Sequence, residues 1–108
     1  MLPMKVCLST CPAERADDLA AILVNEHVAA CVNIIGPVRS VYRWEGQLQR
    51  ESEALLVIKT SDSAVERLMA RLAKVHPYQT PEIVVLPTEA AWPPYLAWVQ
   101  QETAFPQS

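Results

Sequence analysis

The sequence predicts one α+β domain with the ferredoxin-like, split βαβ order β-α-β-β-α-β and an additional C-terminal helix. Two segments carry apolar residues at helical spacing, and runs rich in β-branched residues precede, separate and follow them. The chain has 108 residues, of which 51% are hydrophobic, so it is long enough for one core and too short for two domains. We therefore treat residues 1–108 as a single domain with both helices on one face of the sheet.

The first predicted strand and helix occupy the first thirty residues. Residues 5–9 place their valine and leucine on one face, which indicates a strand. Pro12 suits the first position of a helix, where its missing N–H is no loss, and apolar residues from Leu19 to Val24 extend a helical pattern to about Ala30. His27 lies in the polar part of this helix, and we expect it to be solvated.

Two long strands joined by a tight turn are predicted from Cys31 onward, each well above the typical length of about 5–6 residues. Gly36–Pro37 interrupts the first of them with a bulge or kink, because proline lacks a donor for the ladder. Glu45–Gly46 signals the turn. The run 54–58 is apolar on both faces, which is typical of a central strand.

The last third of the chain predicts a helix, a strand and a shorter helix. Ser63 and Glu66 have the spacing of a capping box, and Pro77 must end the helix at or before His76. Residues 82–86 are rich in β-branched side chains and predict a fourth strand. Pro93–Pro94 can open the C-terminal helix.

The outer half of the long hairpin, Arg39 to Ser52, is longer than two helices of this size can cover. It nevertheless carries Val41, Tyr42 and Trp44. A two-stranded ribbon alone is marginally stable in water, and its exposed edges invite pairing. We therefore predict that the ribbon pairs with, and is buried against, another subunit.

Charge and composition exclude several classes of protein. The net charge is −3, and the nine Lys and Arg residues form no basic run, so nucleic acid is not an expected partner. The N-terminus lacks the pattern of a signal peptide, and the apolar stretch Leu19 to Val24 is too short to span a bilayer. Three cysteines make a poor disulfide framework, which favours a reduced, cytoplasmic compartment.

Three motifs in one order carry a family resemblance: Ala-Cys-Val-Asn, Tyr-Arg-Trp-Glu-Gly and His-Pro-Tyr-x-x-Pro-Glu. Together with "LAAILVNEHVAACVNII", "ALLVIKT" and "PPYLAWVQQET", they make the chain from about Val6 to Thr103 resemble the CutA family of divalent-ion tolerance proteins. The resemblance implies a ferredoxin-like subunit in a tight homotrimer, related in fold to the PII proteins. It also implies a cytoplasmic protein linked to copper or divalent-metal handling, with no established reaction and no obligatory cofactor.

The resemblance also implies where copper(II) or another divalent cation would bind. The family's proposed site uses a cysteine at the end of strand one and two adjacent histidines before the Pro-Tyr. Here Ser9 and Val75 stand at two of these positions, and His76 alone matches, with Cys11 as a substitute ligand. A neutral imidazole suits copper(II). The alternative role for His76 is a polar residue at a helix C-terminus.

A second prediction is a ligand pocket near the same histidine. Lys59 and Glu82 match family positions at strand ends that we expect to gather near His76, as an acid-base or anion-binding pocket. The predicted pocket residues are Cys31, Tyr42, Trp44, Lys59, His76, Tyr78 and Glu82. The alternatives are solvated strand ends, core packing of Cys31 and ordinary subunit packing of the two hairpin aromatics. Cys11, beside a helix N-terminus, is expected to have a lowered thiol pKa.

The function predicted first is a cytoplasmic, homotrimeric divalent-cation tolerance protein that binds a metal or small ligand and is not an enzyme. One alternative is a PII-like module that senses a small molecule. It is disfavoured because such modules carry a long mobile loop where this hairpin has a tight turn. Another alternative is an enzyme that uses Lys59, His76 and Glu82. It lacks a nucleophile with a matched base and a glycine-rich phosphate loop.

Overall fold

A computed structural model describes residues 3–104 and contains a four-stranded antiparallel sheet in the order β2-β3-β1-β4. The strands are β1 (Met4–Cys11), β2 (Cys31–Trp44), β3 (Gln47–Ser61) and β4 (Val84–Pro87). The helices are α1 (Ala16–Asn25), α2 (Val65–Val75) and α3 (Pro93–Glu102), with short 3-10 turns at Ala13–Arg15 and Asp62–Ala64. The predicted split βαβ order with a C-terminal helix is confirmed.

The core lies between one face of the sheet and the two helices α1 and α2. Because side chains alternate along a strand, β1 and β3 send every second residue to this face. Fully buried there are Cys7 and Cys11 of β1 and Leu56 and Ile58 of β3, against Leu19 and Leu23 of α1 and Leu68 and Leu72 of α2. The helical and strand periodicities of the sequence therefore describe the same core from both sides.

The opposite face of the sheet, which we call the open face, is covered only at one end. There α3 packs Val99 against Met4 and Ala30. The rest of the open face presents apolar side chains of β2 and β4, among them Ile35, Val84 and Leu86, each between 41% and 49% exposed. No helix among residues 3–104 is both long enough and apolar enough to cross a membrane.

Helix α1 ends at Asn25, five residues before the predicted end at Ala30. His27 has a φ of 59°, which takes the chain out of the helix, and the Ala30 N–H donates to Lys59 O to join the sheet. The Nδ1 of His27 donates to Glu102 O at 2.9 Å. His27 is exposed, as expected of a solvated residue, but it lies after the helix and its side chain ties the turn after α1 to the end of α3.

The predicted capping box at Ser63 is also wrong. Ser63 lies inside the 3-10 turn, α2 begins at Val65 after it, and no side chain caps its N-terminus. The Ser63 hydroxyl instead lies 3.2 Å from the hydroxyl of Ser61. At the other end the helix stops at Val75, before Pro77, as predicted.

The hairpin of β2 and β3 is paired from Cys31 opposite Lys59 to Trp44 opposite Gln47, with one interruption between Ile35 and Val38. Glu45 and Gly46 have φ values of 51° and 78°, so both residues of the turn are left-handed, as in the type I′ turn whose twist suits a hairpin. The predicted irregularity at Gly36–Pro37 is present as a register shift between Ile35 and Val38. β4 begins two residues later than predicted, at Val84, where it pairs with Leu8.

Candidate functional site

A groove of about 790 Å³ separates the outer half of the hairpin from the loop that follows α2. Its hairpin side is formed by Ser40, Val41, Tyr42, Trp44, Gln49, Glu51 and Glu53. Its other side is formed by Thr10 at the end of β1 and by Pro77, Tyr78, Gln79, Thr80 and Glu82 of the loop. The structure thus brings together four of the predicted pocket residues, Tyr42, Trp44, Tyr78 and Glu82. Their role in binding stays a prediction.

The bulge in β2 decides which hairpin side chains face the groove. Before the bulge, Ile35 is opposite Leu55, and after it, Val38 is opposite Glu53, so the strand has gained one residue. Since side chains alternate along a strand, one extra residue exchanges its two faces relative to β3. The even-numbered residues of β2 beyond the bulge therefore share a face with the odd-numbered residues of β3, which puts Tyr42 and Trp44 beside Glu51 and Glu53.

His76 holds the loop in place from behind the groove. The Tyr78 backbone N–H donates to its Nδ1 at 3.1 Å, and its Nε2 lies 2.9 Å from Thr10 O. Because a carbonyl oxygen can only accept, the second contact assigns the ring proton to Nε2. Both ring nitrogens of this neutral imidazole are then engaged, and the side chain is 7% exposed. His76 therefore has a larger structural role than that of a polar residue at a helix C-terminus, which was the alternative considered from the sequence.

Tyr78 forms the contact that joins the loop to the hairpin. Its hydroxyl donates to Oε2 of Glu53 at 2.6 Å, a short bond of the kind that a carboxylate acceptor makes. Glu53 is only 4% exposed. The pKa of Tyr78 is raised above its ordinary value, first by burial and then by the hydrogen bond and negative charge of Glu53. The phenol is therefore held in its neutral, donating form.

Tyr42 and Trp44 form the outer wall of the groove, where their side chains are 38% and 43% exposed. A hydrogen bond between Tyr42 and the Glu51 carboxylate raises the pKa of this second phenol, with burial as the next cause. Each groove tyrosine is thus matched with one glutamate of β3. The arrangement offers aromatic faces and carboxylate oxygens to the same space.

Lys59 and Cys31 lie away from this groove. They are opposite each other in the sheet, and Lys59 is also opposite Val6, four residues along β1 from Thr10, which places it roughly 13 Å from the histidine's anchor. The Lys59 ammonium donates to the side chain of Asn33. The expected gathering of Lys59 with His76 is therefore wrong within one chain, because the antiparallel register puts them at opposite ends of β1.

The residues predicted to hold copper(II) do not fit that ion within one chain. Both nitrogens of His76 already have partners, and Cys11 is fully buried. Burial, followed by the charge of Glu53, raises the pKa of the Cys11 thiol, so the expected lowering was wrong. Ser9 is buried in the core as well, and across residues 3–104 no group of three or more His, Cys, Asp or Glu is placed to hold a metal.

Sequence reasoning missed Glu51 and Glu53, although both line the groove and accept bonds from its tyrosines. A signal was available in their spacing: glutamates at alternate positions on the same ribbon as two alternate aromatic residues. Using it required the register of the hairpin and the size of the bulge, which the sequence alone did not fix for these residues.

Comparisons with known proteins place this geometry in a family. The profile described as "CutA1 divalent ion tolerance protein" matches residues 5–102. Protein CutA of Mus musculus is 44% identical over 95 residues, which are 87% of this chain and 54% of the mouse protein, so the chain spans about half the length of that relative. The divalent-cation tolerance protein CutA of Thermus thermophilus is 42% identical over 92% of this chain and 97% of its own.

Solved structures agree with the sequence comparison. A structure described as PII-like protein CutA from Nostoc sp. PCC 7120, in apo form, has a TM-score of 0.89 at 39% identity and covers 94% of this chain and 98% of its own. The likeness therefore includes the long hairpin, the loop after α2 and the C-terminal helix as well as the sheet. On these matches, the chain belongs to the CutA1 divalent ion tolerance protein family.

Proposed function

We propose that this chain serves divalent-cation tolerance as a cytoplasmic homotrimer that binds a small ligand in the groove between the hairpin and the loop after α2. The observation that carries the proposal is the groove itself. Its volume of about 790 Å³ is within the usual range of small-molecule sites, and it combines aromatic walls with a few convergent polar groups.

The trimeric state is supported by two surfaces that one chain leaves uncovered. The open face exposes Ile35, Val84 and Leu86, and the hairpin exposes Val41 and Leu48 on the face away from Tyr42 and Trp44. Contiguous exposed apolar surface of this kind marks interaction sites in stable proteins. Two different surfaces on one chain also suit a head-to-tail contact, which closes into a ring when the rotation allows it.

The cytoplasmic assignment is supported by the state of the thiols. Cys7, Cys11 and Cys31 are free, and the first two are buried in the core. Unpaired cysteines are typical of proteins in reducing compartments. Relatives differ in compartment: a protein of Arabidopsis thaliana is described as chloroplastic and one of Archaeoglobus fulgidus as periplasmic.

Direct copper(II) binding through His76 and Cys11 stays a prediction of the sequence, and it requires the imidazole to release either the Tyr78 N–H or the Thr10 carbonyl. We therefore assign no step of the proposed function to a metal held by these two residues. The enzyme alternative loses its support as well, because Lys59 does not share a site with His76 and Glu82 within one chain.

The PII-like alternative keeps one supporting observation, which is the groove. A small molecule bound there would contact both the hairpin and the loop, so its presence could be passed to a partner protein. The two-residue turn at Glu45 and Gly46 provides no long mobile loop for such a contact, so we place this function second.

Two measurements test the proposal. Light scattering at micromolar concentration is expected to give the mass of three chains, each of 12.0 kDa. A thermal-shift panel of divalent metals, nucleotides, small acids and amines is expected to contain a compound that raises the Tm, because a ligand of the native state stabilises it by about 2.7 kcal/mol at one hundred times its Kd. A 12.0 kDa particle, or a panel without any shift, contradicts the proposal.

A further inference from the structure

We propose that the groove selects small organic cations, of the alkylammonium class, over anions and over bare metal ions. This inference rests on the proposed function, since it names the chemistry of the ligand that the groove would take. It replaces the anion-binding pocket expected from the sequence, whose lysine lies elsewhere in the fold.

The first argument is the charge of the lining. Glu51, Glu53 and Glu82 contribute three carboxyl groups, and no Lys, Arg or His belongs to the lining that the described part of the chain provides. The arginines of the hairpin do not compensate, because the register puts Arg39, Arg43 and Arg50 on the other face of the ribbon from Glu51 and Glu53. An anion in the groove would meet like charges, whereas a cation would meet opposite ones.

The second argument is the aromatic wall. Tyr42 and Trp44 follow each other on one face of the hairpin, partly exposed, with Tyr78 on the opposite side of the groove. Aromatic faces attract cations, and Trp does so most strongly. Alkyl groups also bury apolar surface against the rings. Hydrated Mg²⁺ gains neither advantage, because it dehydrates reluctantly and carries no alkyl group to bury.

The third argument is a buried carboxylate that is short of donors. Glu53 is 4% exposed and lines the groove, and a carboxylate can accept about four hydrogen bonds. The structure of residues 3–104 records one donor to it, the Tyr78 hydroxyl at Oε2. Its second oxygen is not among the fully buried atoms without a partner, so it remains open to the groove, where an ammonium group would donate to it in a charge-assisted hydrogen bond.

Size agrees with this class of ligand. The groove, at about 790 Å³, holds a molecule of many non-hydrogen atoms and is far larger than one ion requires. The described residues also offer no set of three His, Cys, Asp or Glu for a metal. The size of the groove, the negative charge of its lining and the remaining acceptor capacity of Glu53 therefore favour the same class of ligand.

The test compares three probes that differ chiefly in the charge of one end. Calorimetry is run on the intact assembly with isopentylamine, isopentyl alcohol and 4-methylpentanoate, and separately with copper(II) chloride. The amine is expected to bind at least about tenfold more tightly than the alcohol, which is a difference of ~1.4 kcal/mol. The carboxylate is expected to bind more weakly than the alcohol.

Matched variants locate the binding. Glu82→Gln and Trp44→Leu are expected to weaken amine binding at least about threefold each. Glu66→Gln, which removes a carboxylate on the exposed face of α2, and Trp92→Leu, which removes the most exposed tryptophan, should leave it unchanged. Tm values of all four variants, measured without probe, check that each one folds.

Each outcome has one meaning. Selective amine binding that Glu82→Gln and Trp44→Leu weaken supports the inference. If the carboxylate binds more tightly than the amine, or if all three probes bind equally, and Trp44→Leu abolishes that binding, the inference is overturned. The groove would then still be a ligand-binding site. Copper(II) binding that depends on Glu82 without any response to the amine also overturns it. Failure of every probe, together with a panel that shows no shift, removes the inference and the proposed function together.

Discussion

Replacing Tyr78 by Phe should destabilise the chain by about 1.5–3 kcal/mol, the usual value for a hydrogen bond to a charged group. The substitution removes one hydroxyl and keeps the ring. What it leaves behind is the Glu53 carboxylate, 4% exposed and deprived of the donor that the structure records at 2.6 Å. The short distance and the burial of the acceptor both favour the upper part of that range.

The assay is a double-mutant cycle by urea unfolding at pH 7. Wild type, Tyr78→Phe, Glu53→Gln and the double variant are compared at one protomer concentration, because the proposed assembly would make apparent stability depend on concentration. A coupling energy of at least about 1 kcal/mol is expected. A value near zero would refute the reasoning, since it would mean that the two side chains contribute independently and the contact does not hold the loop to the hairpin.

The same pair predicts a dependence on alkaline pH. The pKa of Tyr78 is raised in the folded chain, so its neutral form is favoured by folding. Its contribution to stability is then complete below the ordinary tyrosine pKa of about 10 and is lost as pH rises above that value. The difference in unfolding free energy between wild type and Tyr78→Phe should therefore shrink above pH 10, and a constant difference would contradict the assignment.

Three further predictions concern other parts of the fold. Burial raises the pKa of the Cys7 thiol from 9.0 to about 11, so the stability gained by burying the neutral thiol is complete below pH 9 and is lost as pH rises through 11. Iodoacetamide at pH 8, followed by mass spectrometry, should therefore find Cys7 and Cys11 unmodified in the folded chain. Gly46→Val, at a φ of 78°, should cost about 1–2 kcal/mol in urea unfolding, and Gly46→Asn clearly less. Copper(II) affinity by calorimetry should be equal in wild type and His76→Gln, because both ring nitrogens are engaged; an at least about tenfold loss would restore the sequence prediction.

The order of the elements could be predicted because it depends on local patterns. Helical spacing in α2, the proline after it, and the glycine in the hairpin turn each act within a few residues of their own position. The family resemblance added the relation to PII-like folds, which the solved structures confirm. These predictions agree with the structure because the tertiary contacts reinforce the local preferences.

The ends of elements depended on contacts that no local pattern contains. Helix α1 was expected to reach Ala30, but the amide of that residue bonds to Lys59 O of β3, a partner 29 positions away. The serine expected to cap α2 faces Ser61 instead. For Ala30, the packing of the sheet selects a distant acceptor over a helical one. Ser63 lies within the 3-10 turn before α2, so its hydroxyl contacts a neighbour in the sequence and does not cap the helix.

The candidate site was half predictable for a similar reason. Tyr78 and Glu82 were named because the loop that carries them is marked by prolines, and Tyr42 and Trp44 because aromatic residues on a long ribbon demand a partner. The predicted position of Lys59 was wrong because the apolar pattern of β3 does not show which residue of β3 lies opposite a given residue of β1. The register settles that point: Lys59 is opposite Val6, and Leu55, four residues earlier, is the one opposite Thr10.

The missing information about the groove comes down to one residue of β2. An alternating pattern shows which side chains share a face within a strand, but a bulge changes the phase between that strand and its neighbour. Without the extra residue between Ile35 and Val38, Tyr42 and Trp44 would lie on the opposite face from Glu51 and Glu53. The aromatic wall and the carboxylates would then belong to two different surfaces. The chemistry of the groove is therefore a consequence of a backbone irregularity. The Gly36–Pro37 pair indicates in the sequence that an irregularity occurs there, but it does not indicate how many residues are added.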